Sequence, residues 1–129
     1  MPKSDRDLDS LVRKFVKEIY SSEIPAGVEI MKERCPEFLK KWLELRNIAR
    51  YDGYLPLKTR QLIWLTAQAI RMNRSACVVH IKGALEAGAK EEEIVETAMI
   101  MYITAGGTVG DLVLGALRTA KLSYRPEAR

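Results

Sequence analysis

The chain has 129 residues, 47% of them hydrophobic and 29% charged, a balance that describes one folded globular domain and excludes a disordered chain. Its net charge of +4 comes from 21 basic and 17 acidic residues. These are mostly interleaved, as from Glu29 to Arg34, with no aromatic RNA-binding or helix-turn-helix signature beside them, so no nucleic-acid partner is expected. Cys35 and Cys77 fit neither a disulfide scaffold nor a metal-ligand spacing, which makes a reducing cytoplasm the expected setting, with no metal. The charged N-terminus has no apolar segment behind it, and the longest uncharged stretch, 97–110, is too short to span a bilayer. No membrane partner is expected. Arg118, Lys121, Arg125 and Arg129 gather at the C-terminal end, as helix-dipole partners and solubilisers do.

The pattern is helical from end to end. Leu8, Leu11, Val12, Phe15 and Ile19 recur at the spacing of an amphipathic helix, with Arg13, Lys14 and Lys17 on other faces. Pro25 fits the first turn of a short second helix carrying Val28, Met31 and Cys35. Pro36 ends that helix and opens a third, whose apolar stripe reads Phe38, Trp42, Leu45 and Ala49. Asp52-Gly53 signals a turn. Pro56 then starts a long helix through Leu62, Leu65, Ala69 and Met72, broken at Asn73-Arg74-Ser75. From Ser75 to Gly88 one face is made of Ala76, Cys77, His80, Gly83, Ala84 and Ala87, small enough for another helix to approach closely. Gly88 suits a C-cap, and Glu91-Glu92-Glu93 load the next helix's first turn with charge that matches its dipole. From Thr97 to Ala105 that helix is apolar on all sides, more than one small protomer easily covers, so a homo-oligomer is expected. Gly106-Gly107 stop it, Thr108 to Asp111 resembles a capping box, and Val109, Leu112, Val113, Ala116, Leu117 and Ala120 form the last stripe.

His80 is the single histidine, and so the one side chain whose ordinary pKa lies near neutrality. Cys77 lies three residues before it, on the same helical face. With Ser75 as N-cap, the Cys77 sulfur would lie in the first turn, where backbone amides and a neighbouring imidazole favour the thiolate. A buried polar histidine beside a small core cysteine is the structural alternative.

Leu55-Pro-Leu-Lys-Thr-Arg60, Leu62-Ile-Trp-Leu65, the run from His80 to Ala89, Glu91-Glu-Glu-Ile-Val95 and the run from Tyr102 to Gly107 follow in an order that resembles the carboxymuconolactone decarboxylase family, related to alkyl hydroperoxidase D. The resemblance is specific over 55–121 and looser over Pro36 to Trp42. It implies an all-α, alkyl hydroperoxidase D-like bundle of about six to seven helices, one domain over 1–129, assembled as a homotrimer or homohexamer with the active site on the helix bearing His80. Hydroperoxidase-type members carry a Cys-x-x-Cys-x-x-x-His motif and a glutamate on the preceding helix. In that register the cysteine positions fall on Asn73 and Ala76, Cys77 is one position late, and the glutamate position is Gln61.

Decarboxylase-type members lack the cysteine pair and keep the histidine, which Met72-Asn-Arg74 and His80-Ile-Lys-Gly-Ala84 resemble more closely. The resemblance then implies a cofactor-free decarboxylase-like enzyme acting on a small carboxylated lactone or related acid. His80 is its acid/base, Gln61 an orienting hydrogen-bond partner, and Arg74, with Arg71 as the second candidate, the site for the substrate carboxylate. Two other readings stay open: a thiol peroxidase using Cys77, and a non-catalytic oligomer that kept the fold.

Overall fold

A computed structural model describes residues 3–51 and 53–124. Asp52, Arg125 and Arg129 lie outside the described residues. Among those described there are seven α-helices and no strand: α1 (Lys3–Glu18), α2 (Ala26–Arg34), α3 (Pro36–Tyr51), α4 (Leu57–Ile70), α5 (Arg74–Glu86), α6 (Glu91–Thr104) and α7 (Gly107–Ser123). No helix among them is long and apolar enough to cross a membrane. The chain divides into two compact units, Met1–Tyr54 with α1 to α3 and Leu55–Arg129 with α4 to α7.

In the first unit α3 packs on α1 and α2. Leu8, Val12, Val28, Leu39 and Leu43 form its core. The face of α3 that turns inward is not the stripe read from the sequence. Leu39, Leu43, Arg46 and Arg50 are buried, whereas Phe38, Trp42, Leu45 and Ala49 are exposed. The reason is electrostatic. Glu18, at the end of α1, is buried and takes Arg46 Nη1 at 2.7 Å on one oxygen and Arg50 Nε at 2.9 Å on the other, with the Tyr51 hydroxyl also donating to it. Burial pulls the Arg46 pKa down, and the hydrogen bond from Arg46 to Glu18 works against that shift. Trp42 keeps an edge contact with Phe15, their ring centres 5.6 Å apart.

In the second unit α4 packs on α5, and α5 and α6 both pack on α7. The α4–α5 turn is sharp because Met72 takes a left-handed backbone (φ 59), while the amides of Met72 and Asn73 return to the carbonyls of Ala69 and Gln68. Gly88, past the end of α5, has φ 98, which glycine adopts without a Cβ penalty. Leu65, Cys77, Ile81, Ile94, Val113 and Ala116 anchor one continuous core. The acidic first turn of α6 is present, and Glu93 closes it by accepting from the Lys90 amide at 3.1 Å. Lys58 on α4 donates to the same carboxylate at 3.1 Å, and these contacts hold the Glu93 carboxyl below its usual range.

One sequence expectation is corrected here. The box expected from Thr108 to Asp111 does not form, because Gly106 (φ 101) is the N-cap and α7 already begins at Gly107. A glycine cap leaves no side chain to accept from the first amides. The α6 helix buries Ile94, Ala98 and Met101 and leaves Val95, Met99, Ile100, Tyr102 and Ile103 exposed, Ile103 at 87%, so a single chain does not cover its apolar sides.

Candidate active site

The site is built on the α4–α5 pair. Asn73, not Ser75, is the N-cap of α5, its side chain accepting from the Ala76 amide at 3.2 Å. The cap fixes the helix two residues earlier than the sequence signalled, so the Cys77 amide is already spent on the Asn73 carbonyl at 3.0 Å. His80 then falls on the face of α5 turned to α4 and is 7% exposed.

Two side chains of α4, one turn apart, meet its ring. Gln61 is fully buried, and its Oε1 lies 2.9 Å from His80 Nδ1. With the amide oxygen as the facing atom, Nδ1 is the donor, and Nε2 is the nitrogen that gains and loses a proton. Trp64 lies with its ring parallel to the imidazole, centroids 4.9 Å apart and planes 17° apart. Opposite Gln61 stands Gly83, where an added Cβ would come within 2.7 Å of Gln61 Cδ. The small residue one turn beyond His80 therefore makes the room in which the glutamine amide lies.

Cys77 is fully buried, its sulfur placed 3.9 Å from the Leu65 carbonyl. Burial pushes its thiol up to about 11, and the nearby Arg74 charge only partly opposes that shift. This reverses the expectation of an acidic thiol: the core-facing side of the first turn removes water faster than the helix dipole supplies charge. Cys35 is exposed, at the C-cap of α2.

Arg74 is exposed and donates to Thr119 Oγ1 on α7 through both terminal nitrogens, at 3.3 and 3.1 Å. Its guanidinium lies over Gly115, where a Cβ would come to 3.3 Å of Nη2. Six residues advance the helix by about 240° beyond a full turn. Arg74 is thus directed to α7 while His80 is directed to α4. The structure brings His80 and Gln61 together, and places Cys77 in the core and Arg74 toward a different neighbour.

Neither Trp64 nor Gly83 was given a role at the site from sequence. A tryptophan one turn after Gln61, on the helix expected to face His80, was the available signal for the first. The small-residue face of α5 was the signal for the second. Among the described residues no three His, Cys, Asp or Glu side chains are grouped to hold a metal ion. An open groove of about 340 Å³ lies in the second unit, lined by Glu91, Leu114, Leu117, Arg118, Lys121 and Leu122. Its lining does not include His80.

Comparison with known proteins adds to this geometry. Residues 36–119 match the model of the carboxymuconolactone decarboxylase family. An uncharacterized protein of Methanocaldococcus jannaschii is 31% identical over 84 residues, 64% of this chain and 78% of that protein. A crystal structure from Burkholderia xenovorans LB400, of a protein provisionally named a carboxymuconolactone decarboxylase, superposes with a TM-score of 0.73. The match covers 93% of this chain and 95% of that one at 20% identity, a likeness of fold alone.

Proposed function

Since the chain belongs to the carboxymuconolactone decarboxylase family, we propose that it is a cofactor-free acid/base enzyme acting on a small carboxylated lactone or related acid, with His80 as the proton-transfer group. One observation carries the reading. The single imidazole is almost buried, its Nδ1 committed to a buried neutral amide and its plane parallel to an indole face. A histidine held in this way has one orientation, which general acid/base catalysis needs.

In the reaction the substrate carboxylate leaves as carbon dioxide, and the electron pair of the broken carbon–carbon bond passes into the conjugated lactone. Protonated His80 delivers its Nε2 proton to the resulting carbanion and recovers one from water. The balance is one proton consumed and one carbon dioxide released. Gln61 serves both protonation states through the same hydrogen bond, because Nδ1 keeps its hydrogen in each. Arg74 reaches α7, so the reading rests on His80 and Gln61 and not on a salt bridge from Arg74.

The buried, weakly acidic Cys77 works against a thiol peroxidase, which needs an accessible thiolate. We also propose a homo-oligomer, a trimer or hexamer, in which Met99, Ile100 and Ile103 of α6 are covered by a neighbouring copy. An apolar stripe this exposed supports it. The test of function is carbon dioxide release from a panel of carboxylated γ-lactones in D2O, with deuterium appearing at the carbon that lost the carboxylate. A panel giving neither gas nor deuterium would overturn the reading.

A further inference from the structure

We propose that Trp64 is a positioning residue for His80, its indole face holding the imidazole plane and favouring the protonated ring. This rests on the reading of His80 as the proton-transfer group and adds a residue to that site. The geometry is that of a stacked pair: centroids 4.9 Å apart, planes 17° from parallel, one ring on α4 and the other on α5. The Gln61 hydrogen bond by itself fixes one ring atom and leaves the imidazole plane able to turn about the Nδ1···Oε1 axis. The indole removes this freedom, since any tilt of the imidazole drives its edge into the indole face.

The electrostatic part follows from what α4 offers. A carboxylate against Nδ1 would attract the imidazolium by charge. Gln61 is neutral, and its hydrogen bond orients the ring without supplying a countercharge. The electron-rich face of a tryptophan attracts a cation lying over it, more strongly where water is excluded. The indole thus gives the protonated ring an attraction that the amide does not.

From α4, Gln61 and Trp64 contact the imidazole. From α7, which packs on α5, the buried stripe is Val113, Ala116, Leu117 and Ala120, all uncharged. On α5 itself the ionic residues nearest in sequence are Lys82, two positions on, and Arg74 and Glu86, six positions to either side, of which Arg74 turns to Thr119 on α7.

Because His80 is the single histidine, proton magnetic resonance of the full-length chain reads it without ambiguity. In the unmodified protein the imidazole carbon-bound protons should be displaced upfield by the indole ring current. Resonances at unstacked positions would overturn the proposal without any variant being made. Trp64→Leu keeps the apolar cover and removes the aromatic face, so the His80 titration midpoint should fall by about 0.5–1 pH unit. Trp64→Phe should fall less. An unchanged or raised midpoint in a folded Trp64→Leu protein would show that cover, not the indole face, sets the ring, and would refute the assignment. If that variant does not fold, Trp64→Phe and the ring-current shift decide the matter. None of these readouts uses turnover. An inactive protein with a displaced, indole-dependent imidazole would sink the enzyme reading and leave the Trp64 contact standing.

Discussion

Gln61 Oε1 and His80 Nδ1 stand 2.9 Å apart on neighbouring helices, and the glutamine amide fits there because position 83 has no side chain. The sequence placed the two residues on adjacent helices, but the contact depends on a third. A Cβ at Gly83 would come to 2.7 Å of Gln61 Cδ and 2.9 Å of its nitrogen and oxygen, closer than real contacts allow.

Gly83→Ala should therefore move the amide off Nδ1. Overpacking costs about 1–3 kcal/mol, and alanine's better helix propensity returns about 1 kcal/mol, so the stability loss should be small. Turnover should fall about 100-fold, within the range credited to a positioned acid/base group. Thermal melts beside steady-state rates check this. A variant with full activity would show that the Gln61 contact is not needed.

Cys77 gives a prediction with a defined sign in pH. Its thiol holds a proton to about 11 in the folded chain, against an ordinary 9.0. A raised acid group stabilises the fold fully below its unfolded pKa and loses that contribution as pH climbs through the folded value. Between about pH 9 and 11 the unmodified protein should therefore lose more stability than Cys77→Ala, by of order 2 kcal/mol. In the same native protein Cys35 should alkylate rapidly and Cys77 slowly. Fast alkylation of Cys77 at neutral pH would revive the peroxidase reading.

Much of the second unit was legible in the sequence. The stripe of α7, the small face of α5, the acidic start of α6 and the breaks at Gly88 and Gly106-Gly107 each rest on spacing or backbone chemistry within a few residues. The missed features depend on distant partners. On α3 two faces compete, and the buried one ends in Arg46 and Arg50, which apolar periodicity reads as surface. Glu18, 28 positions before Arg46, decides between them. Ser75 and Asn73 are both acceptable caps by residue type, and the left-handed Met72 sets the turn so that Asn73 takes the role. The stacking of Trp64 on His80 depends on the packing of two helices, which the chain order alone does not fix.

Glu18→Gln should test the buried cluster of the first unit. Removing its charge leaves Arg46 and Arg50 without the carboxylate that both now contact. Breaking a buried ion pair by deleting one partner costs about 3–5 kcal/mol. Denaturant melts should show a loss of this order, together with greater exposure of Trp42. A change below 1 kcal/mol would mean that the arginines find other partners or water at little cost.

Assembly is read from α6. Ile100→Asp and Ile103→Asp place charges on positions that are 64% and 87% exposed in the single chain. If a neighbouring copy covers them, light scattering should show the oligomer dissociating at micromolar concentration. A stable monomer before any substitution would contradict the proposed oligomer.

The central claim is that His80 transfers the proton, and His80→Gln tests it most directly. Glutamine approximates the size and hydrogen bonding of neutral imidazole but exchanges no proton near neutral pH. The measurement is deuterium incorporation from D2O into the decarboxylated product, made beside a thermal melt of the same sample. Incorporation should be abolished while the melting temperature stays nearly unchanged. Undiminished incorporation in a destabilised variant would contradict it and make His80 a packing residue.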